Sequence, residues 1–89
     1  MSMASTIERK LRQAFRPSRL EVHDESARHA GHAGARPGGE SHFHIVLVSE
    51  AFAGLSRLDR QRLVHEVLAA ELAGQVHALR MMLRSPAEE

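Results

Sequence analysis

The run "SHFHIVLVS", Ser41 to Ser49, constrains the fold more than any other stretch of the chain. Phe43, Ile45 and Leu47 alternate with His42, His44, Val46 and Val48, the period-two pattern of a strand. Toward its end the run is apolar on both faces, as expected of a strand in the middle of a sheet. Such a strand needs a neighbour on each side, and the remaining sequence has to supply both.

Two other segments alternate. In "RLEVHDES", Leu20 and Val22 fall on one face and Glu21 and His23 on the other, predicting a short half-buried strand. In "QVHALRMMLR", alternation sets Val76, Ala78 and Met82 on one face and His77, Leu79, Met81 and Leu83 on the other. Helical patterns separate these strands. Ser5-Thr6-Ile7-Glu8 reads as a capping box ahead of a stripe of Ile7, Leu11, Ala14 and Phe15, closed by Pro17. Ser56, with Asp59 three residues on, caps a second helix whose stripe is Leu63, Val64, Val67, Leu68 and Leu72, with Gly74 as its stop. The predicted order is α-β-β-α-β. It implies an α+β fold, a three-stranded sheet with helices packed on one face, as a single domain over residues 1–89. A chain of 89 residues buries only a little over ~60% of its unfolded surface. A deep, self-contained enzyme cleft is not expected at that size.

Between the first two strands, residues 27–40 hold four Gly, four Ala and one Pro without periodicity, and read as a long flexible loop. Long loops in compact domains are often functional. Four of the seven histidines, His29, His32, His42 and His44, lie in or just after it. His29 and His32 read either as solvated imidazoles or as metal ligands, and His42 and His44 as a pair about 7 Å apart on one strand face. His77 reads either as a half-buried histidine paired with a backbone carbonyl or as a ligand held on a rigid strand. A loop that buffers a divalent metal unaided is a further reading.

Twelve basic and eleven acidic residues leave a formal charge of +1, too near balance for a chain that coats nucleic acid by bulk charge. Arg57, Arg60 and Arg62 make a small basic face, read either as a solvated helix surface or as a phosphate contact. The absence of cysteine excludes disulfides and a thiolate nucleophile and fits a reducing compartment. No apolar run reaches the length of a membrane span. The Arg-rich start "MSMASTIERKLRQAFRPSR" has the composition of a transit peptide, but its own start and stop signals make it the first helix of the fold. No phosphate-loop, zinc-protease or nucleophile motif occurs, so an enzyme is not expected.

Taken together, "LEVHDES", "GESHFHIVLVSEAFAG", "RLDRQRLVHEVLAAEL" and "VHAL" resemble the BolA family, in order and over nearly the whole chain. The resemblance implies a class II KH-like fold without the GxxG loop that KH domains use against nucleic-acid backbones; none is present here. It implies a non-enzymatic cytoplasmic protein that partners a monothiol glutaredoxin and shares a bridging 2Fe–2S cluster in iron–sulfur trafficking or iron regulation, with glutathione as a further thiol donor. Alone, such a chain is expected as a monomer or weak homodimer, away from membranes and without the cluster. The family's C-terminal ligand falls on His77, in the V-H-A-L word. The second ligand belongs in the loop after D-E-S, at His29 or at His32. Some bacterial members are DNA-binding regulators of morphology and stress responses, which would assign phosphate contacts to Arg57, Arg60 and Arg62. Three departures bear on these expectations. Arg60-Gln61-Arg62 stands where the family has R-H-R, the loop is longer than in many members, and the sequence stops soon after the last strand, where some relatives extend.

Overall fold

A computed structural model of the chain describes residues 2–25 and 42–89. Its elements are α1 (Met3–Phe15), β1 (Arg19–Asp24), β2 (His42–Val48), α2 (Arg57–Val67), α3 (Ala69–Ala73) and β3 (Ala78–Arg84), with single 3₁₀ turns at Glu50–Phe52 and Pro86–Glu88. The sheet order is β1-β2-β3, so the strand with two apolar faces is indeed central. β1 runs antiparallel to β2 and β3 runs parallel to it. The parallel pairing requires a long crossover, which residues 49–77 provide through α2 and α3.

Phe43, Ile45 and Leu47 of β2 face the helices and join Ile7, Leu11 and Phe15 of α1, Val64, Leu68, Phe52 and Val76 in one buried core. Phe15 and Phe52 pack with ring centres 5.2 Å apart. From β3, Leu79, Met81 and Leu83 pack against this core. The opposite face of the sheet has no helix over it among the described residues. There Val48 is flanked in register by Arg19 and Arg84, and Val46 by Glu21 and Met82. Both valines are nonetheless buried, as expected where long side chains lay their apolar stems across a sheet.

Four local expectations change. The first helix starts at Met3, capped by Ser2, whose hydroxyl accepts from the Ser5 N–H at 3.1 Å. Starting earlier extends the stripe by one turn, because Met3 packs on the core at the same spacing as Ile7, Leu11 and Phe15. Ala14 faces solvent instead. The single helix predicted from Ser56 to Gly74 is divided at Leu68, where φ/ψ of −102/19° separates α2 from α3. No breaker residue stands there, so the cause is tertiary. The turn keeps Leu68 in the core and brings Glu71 to within 2.7 Å of Lys10 on α1. Finally, strand alternation begins only at Ala78. Val76 therefore points inward with the core, and His77 does not share the face of Leu79, Met81 and Leu83.

Candidate functional site

His77 occupies the short step between α3 and β3 and its side chain is exposed. The backbone on either side is fixed. Val76, on one flank, is buried and its N–H donates to the Glu71 carbonyl at 3.0 Å, while Ala78 on the other pairs with His42 of β2. The semi-buried reading of His77 is therefore replaced by an imidazole presented to solvent from a rigid base. The same end of the sheet carries both anchors of the segment that joins β1 to β2: the Glu25 N–H donates to the His42 carbonyl at 2.8 Å, and His42 lies opposite Ala78. His29 and His32, the loop candidates, lie outside the described residues. Among the described residues, no group of three or more His, Cys, Asp or Glu side chains is gathered for a metal.

The arginines of α2 separate. Arg57 and Arg62 are exposed, with Arg62 3.7 Å from Asp59. Arg60 is 92% buried by its own side of the fold, with a relative exposure of 8%. Its guanidinium donates to Glu88 at 2.7 and 3.2 Å and to the Leu83 carbonyl at 3.2 Å. That corrects the sequence expectation of Arg60 as a phosphate contact: i+3 from Arg57 and i−4 from Val64, it faces β3, where the C-terminal turn supplies its partner. Glu88 also accepts from the Ser85 N–H at 2.7 Å. Arg60 first, and then this backbone donor, hold the Glu88 carboxyl down at about 2. Arg60 Nε remains buried without a partner.

On the open sheet face His44 meets His23 rather than its own strand neighbour His42. The two rings lie on directly opposed residues of β1 and β2, with centres 6.0 Å apart. His23 Nε2 is 3.0 Å from Glu21 Oε1, and Glu21 Oε2 accepts from Arg19 at 2.6 Å. These bonds, His23 first and Arg19 second, keep the Glu21 carboxyl below its ordinary range. Arg80 on β3, opposite His44, is held by both oxygens of Glu25 at 2.8 and 3.1 Å. The His23–His44 contact depends on the antiparallel register, which alternation within one strand does not reveal.

Residues 11–88 match the family described as BolA-like protein. The chain belongs to the BolA-like family. This BolA-like chain is 51% identical over 79 residues to the protein named DNA-binding transcriptional regulator BolA of Escherichia coli, covering 89% of this chain and 71% of that one. It is 48% identical over 84 residues to human BolA-like protein 1, covering 94% of this chain and 58% of the human one. It thus spans little more than half the length of the human relative. Among solved structures, the BolA domain of SufE1 from Arabidopsis thaliana superposes with a TM-score of 0.89 at 40% identity, covering 100% of this chain and 98% of that one. The matched BolA-like region contains His23, His44, Arg60, His77 and Glu88, so each of the sites described above lies within it. These two relatives are named as a BolA-like protein and as a regulator, neither name denoting an enzyme.

Proposed function

We propose that this BolA-like chain is a non-enzymatic partner of a monothiol glutaredoxin, completing a shared 2Fe–2S cluster with His77 and either His29 or His32. The observation that carries the reading is the position of His77: an exposed imidazole on a fixed backbone, at the sheet end where the 26–41 segment leaves β1 and enters β2. An extended chain reaches roughly 3.3–3.6 Å per residue, so four residues from Glu25 span about 13 Å, against about 10 Å for two strand spacings. His29 has the reach, and His32 has more.

The donor set suits such a centre. This chain has no cysteine, so its part is two neutral imidazoles on one iron. The thiolates for the other iron come from the glutaredoxin cysteine and from glutathione. Histidine in place of two thiolates removes negative charge and raises the reduction potential, as in Rieske centres. A compartment that keeps glutathione and the partner thiol reduced, the cytoplasm, suits the exchange. Trafficking of clusters or iron-responsive regulation is the role this chemistry supports.

The test mixes the full chain with a monothiol glutaredoxin, glutathione and iron–sulfide. A coloured 1:1 complex is expected, with visible absorption and circular dichroism unlike those of the glutaredoxin's own cluster, and His77→Ala is expected to abolish the difference. His29→Ala and His32→Ala, compared in turn, assign the second ligand. A His77→Ala complex that still forms with an unchanged spectrum sinks the ligand assignment.

A second reading draws on the name of the Escherichia coli relative, a DNA-binding regulator. Arg57 and Arg62 are exposed on α2, and Arg84 is exposed on the open sheet face. Three phosphate contacts give a log–log salt slope of roughly −3, shallow for a DNA-binding protein. Gel shifts of promoter DNA across salt concentrations, with Arg57→Gln and Arg62→Gln, measure it. No shift at about 100 mM salt rejects this reading.

A further inference from the structure

The open face of the sheet brings two other histidines, His23 and His44, against each other, apart from His77. We propose that His23 and His44 together bind a divalent transition-metal ion of the imidazole-preferring class, zinc, nickel or copper.

A ring nitrogen lies about 1.1 Å from its ring centre and a zinc–nitrogen bond is about 2.0–2.1 Å, so two imidazoles on one ion place their ring centres roughly 5–6.4 Å apart as the angle at the metal opens. The His23 and His44 ring centres are 6.0 Å apart and the rings are tilted by 33°, at the wide-angle end of that range, so side-chain rotation that closes them by about 1 Å brings them to the spacing of a tetrahedral ion. The two residues are directly opposed on antiparallel strands, so the backbone ladder sets their separation and little ordering is left for the metal to impose. Neither ring is sealed: His23 is exposed and His44 half-buried, leaving the remaining coordination positions to water.

Ligand histidines usually give their second nitrogen to a carboxylate, which fixes the tautomer and raises basicity. Glu21 is placed to do this for His23. Its carboxylate, kept ionised by His23 and Arg19, lies 3.0 Å from His23 Nε2; in the tautomer that donates to it, Nδ1 is the nitrogen left for a metal. The cation nearest in register, Arg80 opposite His44, is neutralised by its two-oxygen bond to Glu25. His42 lies on the same face of β2, one alternation from His44. Ligand type sets the metal class, because imidazole suits zinc, copper and nickel where carboxylate and carbonyl oxygens suit magnesium or calcium.

The test is made on the full chain carrying His29→Ala, His32→Ala and His77→Ala, so that the loop and the proposed cluster ligand contribute nothing. Its outcome is thus separate from that of the glutaredoxin reading. Nickel or zinc titrated by calorimetry is expected to bind one to one, and the ring signals of His23 and His44 in nitrogen-15 spectra are expected to shift together at the same ratio. His23→Ala or His44→Ala should weaken binding at least tenfold, and Glu21→Gln several-fold, with unchanged far-ultraviolet circular dichroism. Absence of binding, an affinity within twofold after either histidine change, or a loss seen only with His42→Ala overturns the proposal.

Discussion

Replacing Ser49 with alanine removes a hydroxyl that ties the end of β2 to the end of α1. Ser49 is 1% exposed, and its Oγ donates to the Phe15 carbonyl at 2.6 Å while accepting from the Ala51 N–H at 3.1 Å. Phe15 is the last residue of α1, where carbonyls have no partner within the helix. In Ser49→Ala that carbonyl stays buried and loses its donor, at a cost of about 1–3 kcal/mol. Ala51 is exposed, so water takes over its N–H and adds little. The expected loss is therefore about 2 kcal/mol, from the middle of that range. In a domain of this size each kcal/mol moves the melting temperature by about 4–8 °C, giving a fall of roughly 8–16 °C. Thermal and urea unfolding followed by circular dichroism measure both quantities. Ser49→Cys, which keeps the shape with a weaker donor, should lie between the two. A loss under about 0.5 kcal/mol for Ser49→Ala, with an unchanged urea slope, refutes the assignment of a stabilising bond, since that is the low end for any buried hydrogen bond.

Leu11, fully buried under α1, should cost about 2–5 kcal/mol when changed to alanine, read from the urea midpoint; less than ~1 kcal/mol would show that the core collapses around the gap. The Glu88 carboxyl is held at about 2, below its ordinary 4.5, so its contribution is complete above pH ~4.5 and disappears as pH falls toward 2. The stability gap between the native chain and Glu88→Gln should accordingly narrow across that window, and a gap that stays constant down to pH 2 would mean the Arg60–Glu88 pair is not its source.

What the sequence made legible was set by periodicity. β2 announces itself through two apolar faces, and α1 through residues spaced by four, because burial selects side chains at the repeat of the backbone. The failures come where neighbouring elements decide. Leu68 breaks a helix without Gly or Pro, because Lys10 and the core on one side and Glu71 on the other favour the turn. Arg60 appeared as surface charge because only the folded C-terminal turn brings Glu88 against it. At the candidate site, the V-H-A-L word marks His77 by resemblance, but its exposure depends on where pairing with β2 begins, one residue later. The His23–His44 contact spans two strands, so neither strand alone displays it.

The mixed sheet has a consequence for how the chain reaches its native state. β2 receives an antiparallel partner from residues 19–24 and a parallel one from residues 78–84, each returning across a long interval of sequence. Closing such intervals costs entropy before any ladder bond repays it, so folding is expected on the millisecond side of the range for small mixed domains. Stopped-flow refolding should find the parallel edge consolidating late, leaving the base of His77 among the last parts of the protein to set.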